Sequence, residues 1–385
     1  MKIIHVCLTT SYNTGWIYQE NLLSDQNVKD GHQTMIITTP YELQKTSENY
    51  DTTDTIDYIE PNGVRVLRLK PAKFLGHKAQ MKIRCFPALK KILNDEKPDV
   101  IFFHGLCSWE ILTVAKYLKE HKNVVGFADY HGSPLNSATN FLSRYILHSL
   151  FYRTLFKFSK KYFKTIFYIG IEGKDFLSKL YGIDKKHGDD VKFMTLGGIE
   201  VDQTRFESMR NLYRAKLNLG ENDVAFLHTG KMNASKGLFE TLETFDKCNI
   251  PNAKLFLAGG FSDDVKDKAL SIVNSNKNIT YLGWLSGENL IDYMCACDVL
   301  IQPRSQSVSY QQAICARMAT ILGNNENNRF LVSGNNGYTV DSNADILKYI
   351  TELSSDKNKL NALRENAKQF AQKELLYSQI AKLIY

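Results

Sequence analysis

Short apolar runs alternate with longer amphipathic stretches along nearly the whole chain, the rhythm of strands alternating with helices. The first run, KIIHVCL at residues 2–8, predicts a buried strand ending in a polar, glycine-containing turn at 9–15. Residues 16–30 carry helical periodicity, Gly31 and His32 stop it, and residues 35–38 are a second strand. The pattern continues with strands at 64–69, 100–104, 124–128, 165–169 and 191–194. Helices are predicted at 81–94, 109–121, 140–163 and 172–181, and the polar, acidic residues 43–62 read as a surface excursion. The second half repeats the alternation, with strands at 224–229, 254–258, 279–282, 298–302 and 319–322, and residues 341–385 read as helices. Such alternation predicts an α/β chain of two Rossmann-like domains, each with a doubly wound parallel sheet, facing a cleft. A length of 385 residues exceeds one typical core, and Leu196–Gly197–Gly198 with the polar segment through Arg205 is the candidate boundary.

Where strands feed helices, the loops carry candidate chemistry. The strand at 224–229 leads into GKMNASKG at 230–237, and an amphipathic helix follows at once. A helix start offers unpaired N–H groups and the positive end of a dipole, and Lys231 and Lys236 can neutralise a diphosphate there. A second loop, residues 303–312, lies downstream in the same half. In the first half, Asp129–Tyr130–His131–Gly132 sits at a strand's carboxyl end, where open α/β sheets hold their ligands. The turn containing Gly15 would let a phosphate approach, but it is not GxGxxG, which disfavours a nicotinamide cofactor. Each feature also has an ordinary reading: a solvated lysine turn, a capping or core histidine, a turn glycine.

Composition is that of a globular protein, and no apolar run approaches the length of a membrane span. Seven scattered cysteines without a CxxC pair indicate reduced thiols in the cytoplasm, neither disulfides nor zinc ligands. The net charge of +7 concentrates in two acid-free runs, residues 70–91 and 153–164. Two readings stand for these: solvated helix faces, or a positive, aromatic-studded surface for anionic lipid. Nucleic acid is disfavoured, because the excess is modest and no nucleic-acid motif appears.

On these motifs the chain resembles, over most of its length, the retaining family-four glycosyltransferases (the glycosyl transferases group 1 type), whose fold is GT-B. The resemblance is carried by GKMNASKG, AKLFLAGG at 253–260 and NITYLGWLSGENLIDYMCACDVLIQP at 278–303. YNTGWIYQENLL, GHQTMIITT, DYHG and LGGIEVDQTRF carry it through the first half and the interdomain crossing. It implies an acceptor-side domain at 1–197, a donor-binding domain at 198–365 and a helix at 366–385 packing back on the first. It also implies that Lys231 and Lys236 hold the donor diphosphate, that Gly15 opens backbone N–H groups to it, and that His131 stands near the transferred sugar. Gly283, Trp284 and Leu285 would lie beside the nucleotide base.

One motif departs from the family. In place of a Glu-x7-Glu pair the chain has Arg304 and Gln312 at the two positions. Gln312 is expected to hydrogen-bond the ribose diol as a neutral group, and Arg304 to join the lysines on the diphosphate. Ser305, Gln306, Ser307 and Ser309 are expected to cap the helix start and ligate phosphate. The reading that results is transfer of a hexosyl or N-acetylhexosaminyl unit, with retention, from a nucleotide-diphosphate sugar, UDP-sugar favoured. The acceptor would be a cell-surface glycan or lipid-linked saccharide, and the site would lie in the cytoplasm or on the inner membrane face. No metal or other cofactor is expected, since no DxD-type pair falls at a strand end. The rivals are a nucleotide-sugar 2-epimerase, for which no convincing acid/base carboxylates stand out, and a non-catalytic subunit that only binds nucleotide sugar.

Overall fold

A computed structural model describes residues 1–9, 11–40, 56–72, 76–132, 137–304 and 306–385. The chain divides into two compact units, Met1–Leu196 with Ile380–Tyr385, and Gly197–Gln379. The first holds an eight-stranded sheet in the order β3-β4-β2-β1-β5-β6-β7-β8. Its strands are β1 (Lys2–Cys7), β2 (Gln33–Thr38), β3 (Ile56–Ile59), β4 (Arg65–Arg68), β5 (Val100–Phe103), β6 (Val125–Tyr130), β7 (Thr165–Ile169) and β8 (Val191–Met194). The second holds a six-stranded sheet, β11-β10-β9-β12-β13-β14. Here the strands are β9 (Val224–Thr229), β10 (Ala253–Ala258), β11 (Ile279–Gly283), β12 (Val299–Gln302), β13 (Ala319–Gly323) and β14 (Gly337–Val340).

Among the described residues every strand pairing is parallel except β3 with β4, an antiparallel edge that the alternation did not predict. β3 falls in the presumed surface excursion, and its pattern is mostly exposed, so no apolar run marks it. β14 was missed for the same reason, being only partly buried. The helix expected at 81–94 is two, His77–Ile83 and Leu89–Glu96. Arg84 adopts φ +54° between them and Pro87 follows, which breaks the ladder. The long basic helix is present as one helical run with three windings, Leu142–Tyr152 π-wound, Arg153–Ser159 α and Lys160–Tyr162 3-10. All seven cysteines are unpaired thiols.

The strand orders decide where a ligand can sit. In the second sheet the chain runs outward from β9 through β10 to β11, then jumps back to β12 on the other side of β9. In the first it does the same around β1 and β5. At such a switch point the two following loops diverge to opposite faces and leave a crevice beyond the strands' carboxyl ends. The loops singled out from sequence, after β1, β9 and β12, emerge at these crevices, and His131 follows β6, next to β5.

Candidate active site

In the second unit the loop after β9 turns through a short 3-10 segment, Ala234–Lys236, which Asn233 caps by accepting the Lys236 amide at 3.1 Å. Gly237 follows at φ +74° and opens the helix Leu238–Lys247. A β-carbon on Gly237 would stand 2.7 Å from Pro303 Cγ, so only glycine lets the loops after β9 and β12 meet. Lys236 crosses the same gap and donates to the Gln306 carbonyl at 3.0 Å. It is half-buried, and that burial pushes its ammonium pKa down. Lys231 is exposed and has no carboxylate partner among the described residues. Gln302, unremarked in the sequence, donates to the Thr229 carbonyl at 2.5 Å and ties the ends of β12 and β9 together. Gly283 closes β11 at φ +76°, Leu285 is half-buried, and Trp284 is 75% exposed.

The loop after β12 differs from expectation in two places. Gln312 does not face outward to a diol: it is 2% exposed, and its amide is taken up by one backbone unit. Its Oε1 accepts from the Ile199 amide at 2.7 Å and its Nε2 donates to the Ile199 carbonyl at 3.1 Å. Arg304 is not turned to the lysines; it pairs with Glu240 in the first turn of the helix Leu238–Lys247. Opposite charge between those two loops explains the pairing, and it neutralises the one carboxylate at that helix start. Ser307 Oγ accepts from the Ser309 hydroxyl at 3.0 Å and from its amide at 3.4 Å, a local cap. Ser305 lies outside the described residues.

In the first unit Gly15 turns at φ +76°, with nothing within 4 Å of where a β-carbon would stand. β6 runs two residues further than predicted, so Asp129 is a fully buried strand residue, not a turn residue. Register aligns Phe103 with Ala128, which sets His104 beside Asp129 on one face of the sheet. His104 Nδ1 contacts Asp129 Oδ2 at 2.9 Å, and His131 Nε2 lies 3.2 Å from the same oxygen. The Gly105 amide donates to the other carboxylate oxygen at 2.8 Å. These three side chains bring potential metal-ligand atoms within 4.8 Å of one another. Both imidazoles converge on a single carboxylate oxygen, the pattern of ion pairs sharing one acceptor.

Electrostatics follows from that geometry. Burial alone would raise Asp129, but His131 and His104 outweigh it and hold the carboxyl well below the usual range. Burial would lower His131, and Asp129 reverses that, pushing its pKa up to about 9. With 38% of its side chain exposed, His131 remains accessible from outside. It borders a cavity of about 520 Å³ lined also by Lys82, Arg84, Leu106, Tyr130 and His148. His148 is buried, with Arg84 and Lys82 nearby, and its pKa falls to about 4.

Residues 209–370 match the family model of glycosyl transferases group 1. The matched stretch contains Lys231, Lys236, Gly283 and Gln312, and ends at Phe370, the last residue of the helix Lys357–Phe370. No curated protein sequence matches the chain. Among solved structures, sucrose-phosphate synthase from Thermosynechococcus elongatus is similar at TM-score 0.66 and 14% identity, covering 100% of this chain and 97% of that one. A glycosyltransferase from Rickettsia africae gives TM-score 0.67 at 12% identity, over 99% of this chain and 96% of its own. Anabaena HepE, in complex with UDP-glucose, gives 0.65 at 15%, over 100% and 98%. With sheets of eight and six strands, these likenesses establish the fold as GT-B.

Proposed function

We propose that the protein is a glycosyltransferase that moves a sugar from a nucleotide-diphosphate donor to an acceptor with retention of configuration. One observation carries the reading: Lys236 and a helix start come together where the loops after β9 and β12 meet, at the switch point of the second sheet, and Lys231 is exposed on the same loop. As the bond from the anomeric carbon to the diphosphate breaks, negative charge builds on the leaving oxygens while the sugar becomes oxocarbenium-like. Lys231 would reach in from the exposed turn, Lys236 is held pointing across the loops, and the first N–H groups of the helix Leu238–Lys247 would add the dipole's positive end. This set neutralises a diphosphate with protein groups alone, so the reading is metal-independent. With no carboxylate in the Glu-x7-Glu positions to act as nucleophile, the acceptor hydroxyl attacks on the leaving group's own face, and its proton passes to the departing phosphate.

UDP is the favoured nucleotide, in keeping with HepE and its bound UDP-glucose, and the exposed Trp284 ring beside Gly283 offers a stacking surface for the base. The acceptor, a glycan or lipid-linked saccharide, is assigned to the cavity beside His131, whose ring N–H is suited to a hydroxyl of the transferred sugar. The helical run from Leu142 presents Phe141, Leu142, Tyr145, Ile146, Leu150 and Phe158 outward among Arg144, Arg153, Lys157 and Lys161, which suits the inner face of an anionic membrane. No helix among the described residues is long and apolar enough to span one.

The test is a panel of labelled nucleotide sugars with the purified protein and its Lys236→Ala variant. UDP-sugar hydrolysis or transfer should fall by about 10²–10³ in the variant, the scale for removing one charge-stabilising group. Equal turnover in a folded Lys236→Ala protein would overturn the assignment, and an epimerised donor would replace it.

A further inference from the structure

The His131–Asp129 pair is one end of a longer buried chain. His104 Nε2 meets His5 Nδ1 at 3.0 Å, and His5 Nε2 meets Asn27 Oδ1 at 2.7 Å. Asn27 Nδ2 donates to the Tyr385 hydroxyl at 3.0 Å, and that hydroxyl donates to Asp30 at 2.6 Å on the surface. His5, Asn27, His104 and Asp129 are all essentially inaccessible to solvent. Every member belongs to the first unit, so the chain is internal to it.

We propose that His104 is a standing imidazolium that positions Asp129 and, through it, His131, and that Tyr385 holds it in that state from the far end of the chain. The argument is one of hydrogen-bond parity. Asp30 only accepts, so the single Tyr385 proton points to it, and the tyrosine oxygen is left to accept from Asn27 Nδ2. Asn27 therefore presents its carbonyl to His5, which must donate through Nε2–H. The proton in excess must sit on His5 or on His104. His5 is fully buried and its ring nitrogens touch no carboxylate among the described residues, whereas His104 meets the Asp129 carboxylate directly, so His5 is the neutral ring. Its Nδ1 is consequently an acceptor, and His104 Nε2 has to donate to it. At the other end Asp129 also only accepts, so His104 Nδ1 donates as well. Donation from both ring nitrogens defines the cation. Two carboxylates, Asp30 and Asp129, thus impose opposite directions on the chain, and the directions collide at His104.

The consequence is a switch. Without the Tyr385 hydroxyl or without Asp30, Asn27 is free to turn its amide, donate to His5 Nε2 and reverse His5 to the Nδ1–H tautomer. His104 then accepts at Nε2 and needs only one proton. Asp129 would retain one cationic partner, His131, whose own pKa should rise because a neighbouring positive charge is gone. The other titratable groups acting on this cluster are Glu20 on the helix Gln19–Lys29 and Cys7 on β1. The role given to His131 rests on the glycosyl-transfer reading, but the proton arrangement does not.

The test is therefore spectroscopic and needs no sugar donor. In the full chain labelled with nitrogen-15, two-bond nitrogen–proton spectra report each imidazole's protonation, with His5→Gln and His104→Gln variants giving the assignments. Near pH 7 the unsubstituted protein should show both His104 nitrogens protonated and His5 as the Nε2–H tautomer. Tyr385→Phe should switch His5 to Nδ1–H and remove one proton from His104, and Asp30→Ala should do the same should Tyr385→Phe fail to fold. A neutral His104 in the unsubstituted protein, or tautomers unmoved by either variant, would overturn the proposal whether or not the protein transfers sugar. In an active protein, Tyr385→Phe should also move the alkaline limb of the turnover profile to higher pH.

Discussion

At the scale of single residues, Gln312 shows how one amide expected to meet a ribose diol can serve the backbone instead. It accepts from the Ile199 amide and donates to the Ile199 carbonyl, so both halves of one peptide unit depend on it. Gln312→Ala should lower stability by about 1–3 kcal/mol, the cost of leaving buried backbone groups unsatisfied, and leave UDP affinity unchanged. Gln312→Glu should also destabilise, because a carboxylate cannot donate to the Ile199 carbonyl. Denaturant unfolding and calorimetry with UDP check the pair; a loss of affinity at unchanged stability would restore the ribose-binding role. The strand, loop and helix that carry Lys231 and Lys236 were legible in the sequence, because their spacing needs no knowledge of packing. The His5–His104–Asp129 row was not, since each lies singly in an apolar run and only strand register brings them together. The available signal was a titratable residue inside a buried strand pattern, repeated in three neighbouring strands.

Elements of the second unit are joined by a buried carboxylate. Asp298, just before β12, pairs with Arg210 at 2.6 Å, Arg214 at 3.2 Å and Arg364 at 3.6 Å. It also accepts the Ala225 amide at 2.9 Å, so two helices and two strands share one acceptor. Burial would raise its pKa, but Arg210 and Arg364 with the Ala225 amide and Arg214 hold it below the ordinary carboxylate range. A depressed folded-state pKa stabilises above the unfolded value, near 4, and that contribution is lost as pH falls toward the folded one. Asp298→Asn should therefore cost about 3–5 kcal/mol at pH 7 and flatten the acid side of the stability profile. Urea melts at several pH values read both effects; equal acid sensitivity in the two proteins would exclude the linkage. The helical run from Leu142 is the element whose exposed side chains remain unexplained by packing. Liposome co-sedimentation should require anionic lipid and weaken with salt, each basic residue near the surface contributing about 1 kcal/mol. Equal binding to neutral vesicles would remove electrostatics from the account.

For the whole molecule, strand alternation was enough to foresee two doubly wound sheets, because parallel strands buried on both faces advertise themselves as apolar runs. The edges were not foreseen: β3 and β14 carry too few buried residues to register in the pattern. Nor did the pattern foresee that Arg84 takes a left-handed conformation and divides one basic helix into two. The way the chain leaves and re-enters the first unit has a further consequence. The second unit runs from Gly197 to Gln379, and its two ends are stitched together where the Gly198 amide donates to the Leu375 carbonyl at 3.1 Å. In terms of chain topology the second unit is thus a closed insert, entering and leaving through neighbouring ends. The first unit therefore has the connectivity of a module interrupted at one point, between Leu196 and Ile380. Joining those two residues directly would preserve the chain order of its sheet, together with the tyrosine that ends the buried row of histidines.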